Sequence, residues 1–225
     1  MKAFGPFKIL TFALITSFFA EFAVNAAQNA ANDINVKPGI EILAFGDSLT
    51  AGYGLPAGDG FTDQLEVWIN KKLDRQVKVI NGGVSGDTTS GARSRLDWAL
   101  SPIKNGKPDL VVLTLGGNDV LRGITPDLTR ENMDAMLKLL TERNIPVLIG
   151  GMRSTPSWGP EFVKAFDSIY TDLAAKYGVP LYPFFLDGVD KDLSLRQADG
   201  LHPTKEGVTI IVDKIGPVVL GLLPE

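Results

Sequence analysis

Ile40-Glu41-Ile42-Leu43-Ala44-Phe45 runs directly into Gly46-Asp47-Ser48-Leu49-Thr50-Ala51-Gly52-Tyr53-Gly54, and the fold follows from reading that junction. The first six residues are apolar but for Glu41, without alternation, as in a strand covered on both faces. The glycine-rich segment behind it is a loop. The same unit recurs outward along the chain. Val77–Ile80, Leu110–Leu115, Val147–Ile149 and the short Pro180–Tyr182 read as further strands. The pattern predicts helices over Phe61–Leu73, Thr89–Leu100, Leu128–Arg143, Glu161–Tyr177 and Lys205–Leu222. In the third, Met133, Met136, Leu137 and Leu140 follow the i, i+3, i+4, i+7 rule for one buried face. Strands and helices in strict alternation imply a parallel sheet with right-handed crossovers and helices on both faces. The expectation is an α/β protein, a three-layer α/β/α sandwich around a doubly wound parallel sheet of about five strands. No repeat, low-complexity tract or second boundary interrupts residues 39–225, so they are expected to form one domain.

Polar residues gather where the strands end. The first strand leads into Gly46–Gly54 and the second into Asn81-Gly82-Gly83-Val84-Ser85-Gly86-Asp87-Thr88. The third leads into Gly116-Gly117-Asn118-Asp119, and Asp199-Gly200-Leu201-His202-Pro203 precedes the last helix. Ligands of open parallel sheets bind beyond the carboxyl ends of the strands, where strand order reverses. With the order 2-1-3-4-5 assumed, as in flavodoxin-like sheets, the first three loops share one crevice. The nucleotide-binding motifs of such folds are absent. Gly52-Tyr53-Gly54 has Ala57 at the third glycine position of a dinucleotide fingerprint, and Gly106-Lys107 continues into Pro108 rather than a P-loop. Gly46-Asp47-Ser48-Leu49 leads to Thr50, so the G-x-S-x-G elbow is absent as well.

The residue counts narrow the chemistry. The 225-residue chain has no cysteine and one histidine, His202, which excludes disulfide frameworks, cysteine nucleophiles and Cys/His zinc sites. A net charge of −4 gives no support to nucleic-acid binding.

The first 26 residues stand apart. Lys2 and Lys8 precede the apolar run Ile9–Ala20, and Val24-Asn25-Ala26 offers small residues before a cut ahead of Ala27. This is the pattern of a secretory signal peptide. A membrane anchor is the alternative, but spanning a bilayer takes about 20 apolar residues. Residues 1–26 are thus expected to be removed, leaving no stable membrane anchor and placing the protein in the bacterial periplasm or outside the cell. Residues 27–38 read as a flexible leader.

Taken together and in this order, GDSLTAGYG, NGGVSGDT, GGND and DGLHP resemble the four marker blocks of the GDSL or SGNH hydrolases. The resemblance runs from about Glu41 to Ile215. LGGNDVLRG and SGDTTSGARSRL are most similar to the periplasmic multifunctional type, the thioesterase I, lysophospholipase L1 and arylesterase type.

Physical reasoning about the residues agrees with what that resemblance implies. Ser48 is the candidate nucleophile, since a serine hydroxyl must lose its proton to a neighbouring base; without the other blocks it would read as a turn or cap serine. His202 is the sole imidazole available as that base, and free imidazole titrates in the range the task needs. Asp199, three residues earlier, can orient the ring and stabilise the imidazolium, although a turn or local cap would also account for it. The resemblance assigns the oxyanion hole to the backbone N–H groups of Ser48 and Gly86 and the side-chain amide of Asn118. Asp47, Asp87 and Asp119 are expected to brace loops as hydrogen-bond acceptors; a metal site among them would be the alternative, and no known metal spacing supports it.

Substrate contacts are assigned to Trp158, Phe184 and Val120. Trp158 lies in Met152–Glu161, and Phe184 and Phe185 lie in Tyr182–Leu186. A partly packed surface loop plus core aromatics would explain the same residues. Val120 stands where close relatives often carry glycine after GGND, which narrows or stiffens that loop. The expected function is that of an exported serine esterase, hydrolysing carboxylic esters, namely aryl and short to medium acyl esters, with acyl thioesters and lysophospholipids as further candidates, through an acyl-Ser48 intermediate. The expected partners are a small ester or lipid substrate and no nucleic acid, with no cofactor or metal, in a monomer. A polysaccharide O-deacetylase is the alternative within enzymes. A non-catalytic binding module predicts a damaged triad, whereas every position here is filled.

Overall fold

The computed structural model describes residues 39–224. The expected signal peptide and leader, residues 1–38, lie outside the described residues.

Five strands form the sheet: β1 (Ile40–Gly46), β2 (Val77–Gly83), β3 (Leu110–Thr114), β4 (Val147–Gly150) and β5 (Leu181–Tyr182). Their order is β2-β1-β3-β4-β5, and every pairing is parallel. The assumed order is therefore the observed one, and the switch point lies between β1 and β3. The helices are α1 (Ser48–Ala51), α2 (Phe61–Asn70), α3 (Thr89–Leu100), α4 (Gly117–Leu121), α5 (Pro126–Glu142), α6 (Pro160–Tyr177) and α7 (Lys205–Leu220). α2 packs with α7, while α5 packs with both α3 and α6, giving the two helical layers that cover the sheet. β3 is buried along its whole length and β1 at every residue except Glu41. That double cover is why the central strands carry unbroken apolar runs.

Local chemistry sets the element ends. The Thr88 and Thr204 hydroxyls cap α3 and α7 by accepting from Gly91 and Gly207 N–H. α5 begins at Pro126, two residues before its expected start, because proline at the first helical position gives up no hydrogen bond. α2 stops at Asn70, whose side-chain amide exchanges two 2.8 Å hydrogen bonds with the backbone of Val77 and so ties the helix end to the start of β2. β2 runs three residues beyond its expected end, through Asn81, Gly82 and Gly83, in register with Ala44, Phe45 and Gly46. Asparagine and glycine are poor strand formers, so their pairing shows only in the ladder itself. Among the described residues, no helix is long and apolar enough to cross a membrane.

Candidate active site

The carboxyl end of β1 builds the floor of the site. At Gly46 an added Cβ would collide with the Thr50 side chain and the Thr114 carbonyl, so only glycine lets the chain fold back at once into α1. Asp47 caps that helix, its carboxylate accepting from Leu49 N–H at 3.0 Å. Ser48 is the first residue of α1, so its N–H lies outside the helix's own hydrogen-bond ladder. Gly52, in the left-handed conformation, ends α1 after one turn.

The last loop brings the imidazole to Ser48. His202 Nε2 lies 2.7 Å from Ser48 Oγ, and His202 Nδ1 lies 2.6 Å from Asp199 Oδ2. The other carboxylate oxygen of Asp199 accepts from Leu201 N–H at 2.9 Å and His202 N–H at 3.0 Å. Those bonds, led by the His202 N–H, hold the Asp199 carboxyl down to about 2. An ionised Asp199 favours the tautomer with a proton on Nδ1, which leaves the Nε2 lone pair for the serine proton. The ring rests against Tyr53, with centroids 4.5 Å apart. Gln197 pins the loop by donating to the carbonyls of Tyr53 at 2.8 Å and Pro203 at 2.9 Å.

Two further loops meet the first. Gly86 has φ 84° in a turn closed by Asp87 N–H and the Val84 carbonyl at 3.1 Å. Its own carbonyl accepts from Arg122 at 2.7 Å. Asn118 spends one amide hydrogen on the Asp87 carbonyl at 2.9 Å, and the amide has a second N–H. Ser48, Gly86 and Asn118 border one cavity.

The aspartates beside the site brace it, each differently. Asp119, fully buried, accepts from Thr89 N–H, Thr89 Oγ1 and Thr129 Oγ1. Asp87 pairs with Arg95. Asp47 is pushed up to about 6 chiefly by burial, against the opposing effects of Leu49 N–H and His202.

The cavity has a volume of about 630 Å³. Its apolar wall comes from Val120, Leu121, Met152, Phe184, Leu186 and Leu201, with Arg153, Asp190 and Arg196 among the polar residues. Phe184 and Val120, two of the three residues assigned to substrate contact, border this cavity. Trp158 does not border the cavity. Its ring stacks on Phe162 at 5.4 Å between centroids and lies over Gly123, where the absent side chain leaves room for it. Phe185 belongs to the core, edge-on to Phe61.

Arg95, Arg122, Tyr53, Gln197 and Met152 were not anticipated at the site. Arg95 did leave a signal: on α3 it follows Ala92 by three residues and precedes Leu96, so it is a charge set beside a buried stripe. The others are brought in by loop geometry that local pattern does not carry.

Fold and site together define an α/β/α hydrolase of ester bonds. Residues 44–210 match the model of the GDSL-like Lipase/Acylhydrolase family, and the chain belongs to that family. It is 35% identical over 185 residues to Esterase TesA of Pseudomonas aeruginosa, covering 81% of this chain and 89% of that protein. It is 34% identical over 172 residues to Thioesterase 1/protease 1/lysophospholipase L1 of Escherichia coli strain K12, covering 76% of this chain and 79% of the relative. Among solved structures, AlinE4, an SGNH-hydrolase family esterase, is 41% identical with a TM-score of 0.69, covering 84% of this chain and 99% of the other.

Proposed function

We propose that the protein is an exported serine esterase that cleaves aryl and short to medium acyl esters, with acyl thioesters and lysophospholipids in the same substrate class. The observation that carries this reading is the continuous relay Asp199–His202–Ser48 beside an apolar cavity of about 630 Å³. Ser48 Oγ attacks the acyl carbonyl as its proton passes to His202 Nε2. The oxygen that gains the negative charge accepts from Ser48 N–H, Gly86 N–H and the Asn118 amide. Collapse expels the alcohol or thiol, which takes the proton from His202 and leaves acyl-Ser48. Water, deprotonated by the same imidazole, then releases the acid. The mostly hydrocarbon wall of Val120, Leu121, Met152, Phe184, Leu186 and Leu201 suits an acyl chain better than a polysaccharide.

Export rests on the sequence of residues 1–26, a monomer needing no metal or nucleic acid is part of the same proposal, and both are open to direct measurement. The mature protein recovered from periplasm or medium should begin at Ala27. A reactive organophosphonate should label Ser48 with loss of activity, and Ser48→Ala should abolish cleavage of short aryl esters while the protein stays folded. A label on another residue, or an active Ser48→Ala, overturns the mechanism. Faster turnover of acetylated xylan than of any aryl or acyl ester overturns the substrate assignment in favour of a deacetylase.

A further inference from the structure

The three groups assigned to the oxyanion come from three separate loops, and one side chain connects them. Arg95, on the second turn of α3, is only 17% exposed along its side chain. Its Nη2 donates to the Gly46 carbonyl and its Nη1 to the Gly82 carbonyl, each at 2.8 Å. Its Nε donates to Asp87 Oδ2 at 2.5 Å. The guanidinium plane lies over the Phe45 ring, 4.3 Å from its centroid, which fixes it from below.

Each partner is next to a piece of the hole. Gly46 ends β1, two residues before Ser48. Its carbonyl also accepts from Val84 N–H at 3.1 Å, at the start of the Gly86 turn. Gly82 is paired opposite Phe45, near the end of β2, where the chain leaves the sheet for that turn. Asp87 follows Gly86 directly, and its carbonyl is the acceptor that holds the Asn118 amide. Arg95 therefore touches the Ser48 loop and the Gly86 loop itself and reaches Asn118 through Asp87. A planar fork of fixed geometry suits this task, because it sets distances between its partners as well as to them. Lysine offers one point of charge and cannot hold three acceptors at set spacing.

We propose that Arg95 is the positioning residue that holds Ser48 N–H, Gly86 N–H and the Asn118 amide in one frame around the developing oxyanion. It touches neither substrate nor the Ser48–His202–Asp199 relay. This inference rests on the hydrolase mechanism above. It goes further by locating the rigidity of the oxyanion hole in one side chain on α3.

The test separates transition-state binding from ground-state binding. For Arg95→Met, kcat on a short aryl ester should fall about 100-fold, the scale set by misplacing or losing oxyanion donors, with KM within about threefold. Arg95→Lys should fall in between. Across wild type and both variants, the affinity of a trifluoromethyl ketone, which forms a tetrahedral oxyanion on serine, should drop in step with kcat/KM. Affinity for the product acid should hardly change. Millimolar ethylguanidinium should restore part of the activity of Arg95→Ala and none to Ser48→Ala. If Arg95→Met does not fold, Arg95→Lys carries the same comparison.

A purely structural role predicts a lower melting temperature with unchanged kcat per folded molecule and unchanged ketone affinity. Either result overturns the inference. Should Ser48→Ala remain active, the hydrolase mechanism itself fails, and that outcome is distinguishable from inert Arg95 variants beside a dead Ser48→Ala.

Discussion

At the residue scale, the single histidine leaves no substitute base. His202 lies 2.7 Å from Ser48 Oγ and 2.6 Å from Asp199, so replacing it breaks both contacts. His202→Gln should depress turnover of a short aryl ester nearly as far as Ser48→Ala, and a variant that kept most of its activity would remove the imidazole from the mechanism. Asp199 permits a sharper test. Its carboxyl is lowered to about 2 from an ordinary 3.8, so its contribution to stability is complete above 3.8 and is lost as pH falls through about 2, where the folded protein gives up the charge. Across pH 5–9 Asp199 does not titrate. Asp199→Asn should accordingly lower kcat on the order of 10³–10⁴-fold at pH 7, through loss of the ring's orientation rather than through any ionisation of Asp199 itself. A variant that kept most of its activity at that pH would show that Asp199 is not what orients the imidazole.

At the scale of the elements, the wall of the cavity is set by one short helix. α4 occupies Gly117–Leu121 and presents Val120 to the cavity at 5% exposure. Val120→Gly removes three carbons from that wall and costs about 1 kcal/mol or less in helix propensity. The preferred chain should therefore lengthen. In a series of p-nitrophenyl esters from butyrate to decanoate, the optimum in kcat/KM should move toward the longer members; an unmoved optimum would place the acyl chain elsewhere. α1 and α4 are also where sequence pattern was least informative. Helices of four and five residues span little more than one turn, too short for a 3.6-residue period to show. Glycine-rich composition in Gly46–Gly54 and Gly116–Gly123 reads as loop even though caps at Asp47 and Gly116 start helices there. The longer helices α3, α5, α6 and α7 were legible because their buried faces repeat several times.

For the whole molecule, the sheet was legible in Ile42, Leu43, Val111, Val112 and Leu148, apolar without alternation because they are covered on both faces. Clusters at the strand ends located the crevice for the opposite reason: polar side chains gather where the double helical cover of the strands ends. What pattern did not carry was contact between distant segments, such as Trp158 turning to Phe162 and Gly123 or Arg95 bridging β1 and β2. Burial also has a cost that sequence cannot display. Asp47 is 2% exposed and raised from 3.8 to about 6, so the folded protein binds its proton more tightly than the unfolded chain does. The sign follows from linkage: the favourable contribution is complete below 3.8 and is lost as pH rises through about 6. Above that, the ionised buried carboxylate costs the fold on the order of 2–3 kcal/mol. Asp47→Asn keeps an oxygen to accept from Leu49 N–H, and the residue borders the cavity, where its new amide has room for a partner. The variant should be more stable than wild type at pH 8, by about 5–10 °C in melting temperature for a domain of this size. At pH 4 the two should melt nearly together. Equal melting temperatures at both pH values would show that Asp47 does not carry the strain of a buried charge.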